Sequence, residues 1–279
     1  MERIIHKNQL IYVIADLHGN FNIISDIIDS NKLKDCILIV AGDIGLGFKY
    51  DTYYDNIFKV INEILVNNNV YCYLVRGNHD DPSYFSEKKI DLSNMKTVCD
   101  YTIISVGNHN ILCVGGGISI DRSHRKFVTS QNIAFEVFFN GKSIEEANKS
   151  VNILYWSDEA PVFDFDKLEE IKNEGVDIDY VITHTSPSFC FKKNKDGIKR
   201  FLDRDKELSS DLDNERNVMD LIYKYLKSNN QIVKWVYGHF HKHNIEIIDG
   251  TEFIALTNAD YEYDISVLNN NDEELSIFN

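Results

Sequence analysis

Short apolar runs rich in β-branched and aromatic residues recur along most of the chain. Runs of four to six such residues, bounded by polar or glycine-containing turns, are typical of buried strands. The sequence contains seven of them: Leu10–Ala15, Cys36–Ala41, Val70–Val75, Ile111–Val114, Tyr180–Thr183, Val233–Tyr237 and Glu252–Leu256.

Longer segments between and after these runs carry apolar residues at helical spacing. In one of them the apolar positions Ile57, Ile61 and Leu65 recur every four residues. The pattern predicts helices over Phe21–Ser30, Tyr53–Asn67, Ser143–Trp156, Asp166–Glu174 and Leu212–Lys227. Alternation of strand and helix indicates an α/β fold, with a largely parallel sheet covered on both faces.

The sequence shows no internal repeat, no Pro/Gly/Ser linker and only three prolines. It therefore predicts a single domain over residues 1–279. Residues 121–160 and 188–230 are long for plain connections, and we expect them to be inserted caps over a site.

Composition narrows the classes of partner. Lys and Arg total 29 against 44 Asp and Glu, a net charge of −15. This balance argues against a broad nucleic-acid-binding face or an anionic membrane surface, although a local basic pocket remains compatible with it. The five cysteines contain no C-x-x-C pair, which is typical of reduced core residues in a cytosolic protein. The first nine residues, MERIIHKNQ, are too polar for a signal peptide, so we expect a cytoplasmic protein without a membrane segment.

Asp, Asn or His stands within the first three residues after five of the predicted strands. The sequence reads Asp16-Leu17-His18 after the first, Gly42-Asp43 after the second and Gly77-Asn78-His79-Asp80 after the third. His184 follows the strand Tyr180–Thr183, and Gly238-His239-Phe240-His241 follows Val233–Tyr237. Because sites in open α/β folds assemble at the carboxyl ends of strands, we expect these side chains to converge.

The stretch GHFHKH places His239, His241 and His243 at alternate positions. In an extended strand they would share one face, which suits a metal, whereas on a solvated hairpin they would bind nothing. Each motif taken alone is weak, because Asp, Asn and His are common turn residues. Their conjunction, each at a strand end, indicates a site.

The order D-x-H, G-D, G-N-H-D, a single His and G-H-x-H resembles the signature of the calcineurin-like metallophosphoesterase superfamily, from Asp16 to His241. The resemblance implies an α/β four-layer αββα sandwich, in which helices flank two mixed β-sheets, and a pair of divalent metal ions. It implies that one ion binds Asp16, His18 and His241. It implies that the other binds Asn78, His184 and His239, with Asp43 bridging the two. His243 has no counterpart in the signature, and we expect it beside the ligands or in solvent.

Two divalent ions about 3.5–4 Å apart can hold a hydroxide and clamp phosphate oxygens during in-line attack. The mixed nitrogen and oxygen ligands suit Mn, Fe, Zn or Co, and among these we favour Mn. Because only Asp16 and Asp43 are anionic ligands, such a site stays cationic and attracts phosphate despite the negative charge of the chain.

The resemblance gives His79 a catalytic role, either as a hydrogen-bond donor to the phosphate or as the acid that protonates the leaving oxygen. Phosphoprotein phosphatases carry G-D-x-x-D-R-G, but this chain reads GDIGLG from Gly42 to Gly47. The difference disfavours that branch. Without the second Asp of that motif, Asp80 or a backbone group would orient His79.

A second block, GGGISIDRSHR (115–125) followed by YWSDEAP (155–161), is similar to a bacterial and phage branch of the superfamily. Arg122 and Arg125 could supply the substrate phosphate contact that the G-D block lacks. The alternative is that they are solvated and paired with Asp121 or Glu159. The basic run 192–195 is either a solvated loop or a nucleotide contact, and His109 and His124 are predicted to be surface histidines.

Together these features predict a two-metal phosphoesterase for phosphodiesters or small phosphate esters. We expect the substrate to derive from nucleotides or nucleic acid, single-stranded nucleic acid included, and the sequence indicates no protein partner. The alternative is a catalytically weak metal-binding scaffold of the same fold. The full ligand set and His79 favour the enzyme.

Overall fold

The computed structural model describes residues 1–190, 195–257 and 265–268. Its strands are β1 (Arg3–His6), β2 (Leu10–Ile14), β3 (Cys36–Ala41), β4 (Tyr71–Val75), β5 (Met95–Thr97), β6 (Thr102–Val106), β7 (His109–Val114), β8 (Tyr180–Thr183), β9 (Lys234–Tyr237), β10 (Asn244–Ile248), β11 (Thr251–Ala255) and β12 (Ser266–Val267). Its α-helices are α1 (Asn22–Ser30), α2 (Asp51–Asn68), α3 (Ser83–Ser86), α4 (Arg122–Asn140), α5 (Ile144–Ser150), α6 (Phe165–Asn173), α7 (Lys199–Leu202) and α8 (Leu208–Asn229).

The strands form two mixed sheets. One has seven strands in the order β1-β6-β7-β8-β9-β11-β10, and the other has five in the order β12-β2-β3-β4-β5. In the five-stranded sheet β2, β3, β4 and β5 are parallel, and β12 pairs antiparallel with β2. In the other sheet β7, β8, β9 and β11 run parallel, while β6 and β10 are antiparallel to their neighbours β7 and β11.

Three apolar clusters separate four layers. Alternate residues of β3 show the division: Ile37 and Ile39 belong to the cluster between the sheets, and Leu38 belongs to the cluster shared with α1 and α2. The third cluster joins the outer face of the seven-stranded sheet, through Trp235, to α6 and α8. The structure therefore confirms the predicted sandwich of two mixed sheets flanked by helices.

All seven predicted strands are present, with bounds that shift by up to two residues. The helix predicted over Ser143–Trp156 ends early, at Ser150, and α4 was not predicted. Three phenylalanines of α4 are exposed, Phe135, Phe138 and Phe139, so its apolar residues do not mark a single buried face. The idea that GHFHKH continues a strand is wrong: β9 ends at Tyr237, and the backbone then turns.

Helices α4 and α5 lie within residues 121–160, and α7 and α8 lie within 188–230. Helix α8 packs Met219 and Ile222 into the third apolar cluster, so it is a layer of the sandwich rather than a cap. The five cysteines are all unpaired, and four of them are buried. In the part of the chain that the structure describes, every helix is too short or too polar to cross a membrane.

Candidate metal centre

The polar side chains that follow five strands meet between the two sheets. Those after β2, β3 and β4 come from the five-stranded sheet, and those after β8 and β9 come from the seven-stranded sheet. These strands are parallel within each sheet, so their carboxyl ends share one edge. The structure thus brings together all seven predicted ligands: Asp16, His18, Asp43, Asn78, His184, His239 and His241.

Most of the turns that carry these ligands have a left-handed backbone. Positive φ angles occur at Asp16 (59°), His18 (48°), Asp43 (51°), His239 (69°) and His241 (52°). Such a conformation costs a non-glycine residue roughly 1–3 kcal/mol, and it clusters at functional sites. Hydrogen bonds between neighbouring turns oppose this cost, since the amide of Asp16 donates to Gly42 O (3.1 Å) and that of His18 donates to Asp43 O (2.8 Å).

One group of donors is formed by Asp16, His18, Asp43 and His241, whose ligand atoms all lie within 4.8 Å of one another. The Nε2 atoms of His18 and His241 are 3.0 Å apart. His241 Nε2 is 3.5 Å from Asp16 Oδ1, and His18 Nε2 is 3.9 Å from Asp43 Oδ2. Both carboxylates are buried.

A second group lies on the other side of Asp43. His184 Nε2 is 3.1 Å from Asp43 Oδ1 and 2.9 Å from Asn78 Oδ1. The ring centroid of His239 is 4.9 Å from that of His184. A Cβ atom added to Gly117 would lie 3.1–3.4 Å from Asn78, His184 and His239 alike. These three side chains therefore surround a space that only glycine leaves open.

The donors fit a divalent metal site. Two buried carboxylates, four imidazoles and one amide oxygen converge, a ligand mixture suited to first-row transition ions. The imidazole of His184 is oriented by its other nitrogen, because Nδ1 lies 2.9 Å from Ala41 O. A backbone partner of this kind aims the remaining nitrogen of a metal-binding histidine.

The ionisation of the donors also suits a bound cation. Burial alone would raise the pKa of Asp43, but His184, His79 and His18 hold it well below its usual value. Burial opposes a proton on His184, yet the charge of Asp43 outweighs it and raises the pKa of His184 to about 9. At a pH below that value His184 carries a proton when no cation is bound. A metal ion must displace this proton to bind, so metal binding should weaken as pH falls.

His79 lies beside the donors, and its amide donates to Asp43 Oδ1 (2.7 Å). Nη2 of Arg125 is 2.7 Å from Nε2 and 2.9 Å from Nδ1 of the His79 ring. Burial lowers the pKa of His79 to about 4, with help from Arg125 and His18 and against the pull of Asp43. The Nε atom of Arg125 is held by Asp121 at 2.8 Å, as the pairing alternative expected.

The structure does not place Asp80 on His79. Its Oδ1 accepts from the amides of Gly45 (2.7 Å) and Leu46 (3.0 Å), and its Oδ2 accepts from those of Gly77 (2.8 Å) and Ile44 (3.2 Å). Burial, with the charge of Asp43, raises the pKa of Asp80 to about 6. The carboxylate braces two turns, and the prediction that it orients His79 is wrong for this geometry.

Arg122 is not available to a substrate phosphate. Its Nε and Nη2 bind the two oxygens of Asp205 at 2.7 and 3.2 Å, and its Nη1 lies 2.6 Å from Asp211. The side chain is buried. Its role is to fasten the start of α4 to the segment that precedes α8 and to α8 itself. Of the two predicted arginines, only Arg125 reaches the site.

The other flagged side chains lie elsewhere. His124 and His243 are exposed, and His109 lies 3.8 Å from Asp179 at the amino end of β7. The basic run 192–195 cannot be placed, since residues 191–194 and the side chain of Lys195 lie outside the described residues.

Two buried carboxylates near the centre have roles that sequence reasoning missed. Glu159 accepts from the amide (2.9 Å) and hydroxyl (2.6 Å) of Ser119, and burial raises its pKa to about 7. Glu215 accepts from the amide of Ile118 (2.9 Å) and from the hydroxyl of Thr185. The sequence predicted Glu159 only as a possible partner of Arg122 or Arg125, whereas its hydrogen bonds go to Ser119, and nothing in the sequence marked Glu215.

A cavity of about 320 Å³ opens onto the donors. Its polar side is formed by Asp43, Asn78, His79, His239 and His241. The remainder of the lining is Asp121 and an apolar wall of Ile118, Ile120, Phe201 and Phe240.

The calcineurin-like phosphoesterase profile matches residues 10–243 of the chain. No curated protein sequence matches this chain significantly. Among solved structures, it resembles a phosphopantetheinyl hydrolase from Mycobacterium tuberculosis at 16% identity and a TM-score of 0.43, covering 94% of this chain and 96% of that one. A dimetal phosphatase from Danio rerio matches at 13% identity and a TM-score of 0.44, covering 90% and 88%. Since the profile spans most of the sequence, the chain belongs to the calcineurin-like phosphoesterase family and is a metal-dependent phosphoester hydrolase.

Proposed function

We propose that the protein is a two-metal phosphoesterase that hydrolyses phosphodiesters or small phosphate esters derived from nucleotides. The observation that carries the proposal is the position of Asp43 between two donor groups. Its Oδ2 faces His18 at 3.9 Å, and its Oδ1 faces His184 at 3.1 Å. A carboxylate with one oxygen toward each group is suited to bridge two ions.

When bound, two divalent ions activate the attacking water and offset the negative charge on the phosphoryl oxygens. Arg125 contacts the His79 ring, and His79 lines the same cavity, where a phosphate ester would bring its own negative charge. That charge favours the protonated form of His79 and so opposes the lowering caused by burial. We propose that Arg125 contacts a phosphoryl oxygen and that His79 gives a proton to the leaving oxygen.

The apolar wall supports a substrate with a compact organic group. Phe201 and Phe240 give the cavity aromatic surface against which a nucleobase can pack. The cavity volume of about 320 Å³ lies at the lower end of the roughly 300–1,000 Å³ typical of small-molecule sites. We therefore favour a mononucleotide or similar ester over a nucleic-acid strand. The family match leaves the identity of the metal open. We propose Mn and a cytoplasmic location, the latter supported by the five unpaired cysteines.

The test compares two esters in His79→Ala. General-acid help contributes about 10²–10⁴ in rate, and it matters most when the leaving group is a basic alkoxide. We therefore expect kcat/KM to fall by that amount for a nucleoside monophosphate or dinucleotide and much less for a nitrophenyl ester. Variant His124→Ala, which changes an exposed histidine on α4, is the matched control.

Equal losses for the two esters would remove the proton-donor role and leave the phosphoesterase assignment intact. If the Mn-loaded wild-type protein hydrolysed neither nitrophenyl esters nor nucleotides, the scaffold alternative would replace the enzyme.

A further inference from the structure

Asn78 is an unusual ligand because only one end of its amide can bind a metal. The oxygen accepts, the nitrogen donates, and a rotation of half a turn about the side chain exchanges them. In this structure Oδ1 points to Nε2 of His184 at 2.9 Å, inside the second donor group. Some interaction must therefore keep the amide from presenting its nitrogen.

A chain of hydrogen bonds runs from the back of this amide. Asn78 Nδ2 donates to Ser119 Oγ at 2.9 Å, and Ser119 Oγ donates to Glu159 Oε2 at 2.6 Å. All three residues are buried, and Glu159 and Ser119 are each 1% exposed. Burial therefore keeps water from replacing these hydrogen bonds.

The direction of this chain follows from its last member. Above its pKa Glu159 is a carboxylate, which only accepts hydrogen bonds. Ser119 has a single hydroxyl hydrogen, and it goes to Glu159. The oxygen of Ser119 then accepts from Asn78, which requires the nitrogen end of the amide and turns Oδ1 toward the donors.

Glu159 itself is fixed to the strand end that carries Asn78. The guanidinium of Arg76 donates to the carbonyl oxygens of Asp158 (3.2 Å), Glu159 (2.8 Å) and Ala160 (3.3 Å). Arg76 is also paired with Asp100 at 2.9 Å. Because Arg76 precedes Asn78 by two residues, the acceptor and the ligand belong to one rigid frame.

We infer that Ser119 and Glu159 are positioning residues, which fix the amide of Asn78 with its oxygen toward the metal that His184 and His239 bind. The inference rests on the proposed function only in taking Asn78 as a ligand. It also assigns a physical role to the block that contains G-G-G-I-S and to the later W-S-D-E, neither of which supplies a predicted ligand.

The test measures Mn binding by calorimetry and elemental analysis at pH 8, where Glu159 is ionised. In Ser119→Ala and Glu159→Gln we expect the affinity for one of two ions to fall about 10–100-fold, the usual loss when a group that orients a ligand is removed. The affinity for the other ion should stay at the wild-type value. Ser119→Thr, which keeps the hydroxyl, should bind both ions more tightly than Ser119→Ala.

Ser105→Ala is the matched control. Ser105 is 3% exposed, and its hydroxyl is hydrogen-bonded to Asn110 at 2.7 Å and to Arg3 at 2.9 Å, in the seven-stranded sheet. It should lose thermal stability in the metal-free form as Ser119→Ala does, yet keep both ions. If Ser119→Ala does not fold, Glu159→Gln, which preserves the side-chain shape, carries the same comparison.

Wild-type affinities for both ions in the folded Ser119→Ala and Glu159→Gln variants would overturn the inference. So would an equal loss of both ions, which would indicate general loosening. Failure of the wild-type protein to bind two ions would instead contradict the proposed function, so the two failures are distinguishable.

Discussion

Gly117 offers a direct test of the second donor group, because its missing side chain is what leaves space there. An added Cβ would stand 3.1 Å from Asn78 Oδ1, 3.2 Å from Cδ2 of His184 and 3.4 Å from Cε1 of His239. Its φ lies outside the left-handed region, so alanine brings only steric contact and no backbone strain.

The size of the effect follows from these distances. Ordinary contacts of a Cβ lie at 3.4–4 Å, so Asn78 and His184 must each give by a few tenths of an ångström. Metal–ligand distances tolerate only about 0.2 Å. We therefore expect Gly117→Ala to lower affinity for one ion about 10–100-fold, comparable to other disturbances of ligand orientation. Overpacking should cost the metal-free protein about 1–3 kcal/mol of unfolding free energy.

Calorimetric titration with Mn and elemental analysis of the washed protein measure this result. Gly197→Ala is the matched control, because nothing lies within 4 Å of its added Cβ and its φ is ordinary. Two tightly bound ions in Gly117→Ala would show that Asn78, His184 and His239 do not jointly enclose a cation.

Three further predictions concern other parts of the centre. Asp43→Asn should hold well below two metal equivalents, since each of the two proposed ions would lose charge compensation from the carboxylate proposed to bridge them; full occupancy by elemental analysis would contradict bridging. Arg122→Ala should lower the free energy of urea unfolding by about 1.5–3 kcal/mol, because it leaves Asp205 without its ion pair, and kcat/KM of the folded fraction should not change. Burial raises the pKa of Glu159 from 4.5 to about 7, so its contribution to stability is complete below pH 4.5 and is lost as pH rises to about 7. Metal-free wild type should therefore lose about 3 kcal/mol relative to Glu159→Gln between pH 4 and pH 8; parallel stability curves would refute the burial argument.

The fold and the position of the site were predictable for the same physical reason. A buried parallel strand needs a continuous apolar run, so Cys36–Ala41 and Tyr180–Thr183 are visible in the sequence. Where such a run ends, the chain reaches the edge of the sheet, and polar residues there must converge. Asp16, Asp43 and His184 each stand just after such a run, and this position predicted their proximity in space.

The partners of individual side chains were not predictable, because they come from distant parts of the chain. Arg122 and Arg125 both follow a glycine-rich turn and differ by less than one helical turn. One meets Asp205, 83 residues away, and the other meets His79, 46 residues away. Helical spacing fixes the difference in direction between the two arginines, but only tertiary packing decides what each direction faces.

The G-N-H-D stretch shows how neighbouring residues acquire separate tasks in one turn. Asn78 presents an oxygen to the second donor group, His79 borders the cavity, and Asp80 turns inward to backbone amides. Those amides belong to the turn after Asp43 and to Gly77, which precedes Asn78. A buried carboxylate is costly unless it is fully hydrogen-bonded, and here four amide hydrogens satisfy it. Asp80 thereby fixes the separation of the turns that carry Asp43 and Asn78, which is the quantity a bridged pair of metals requires.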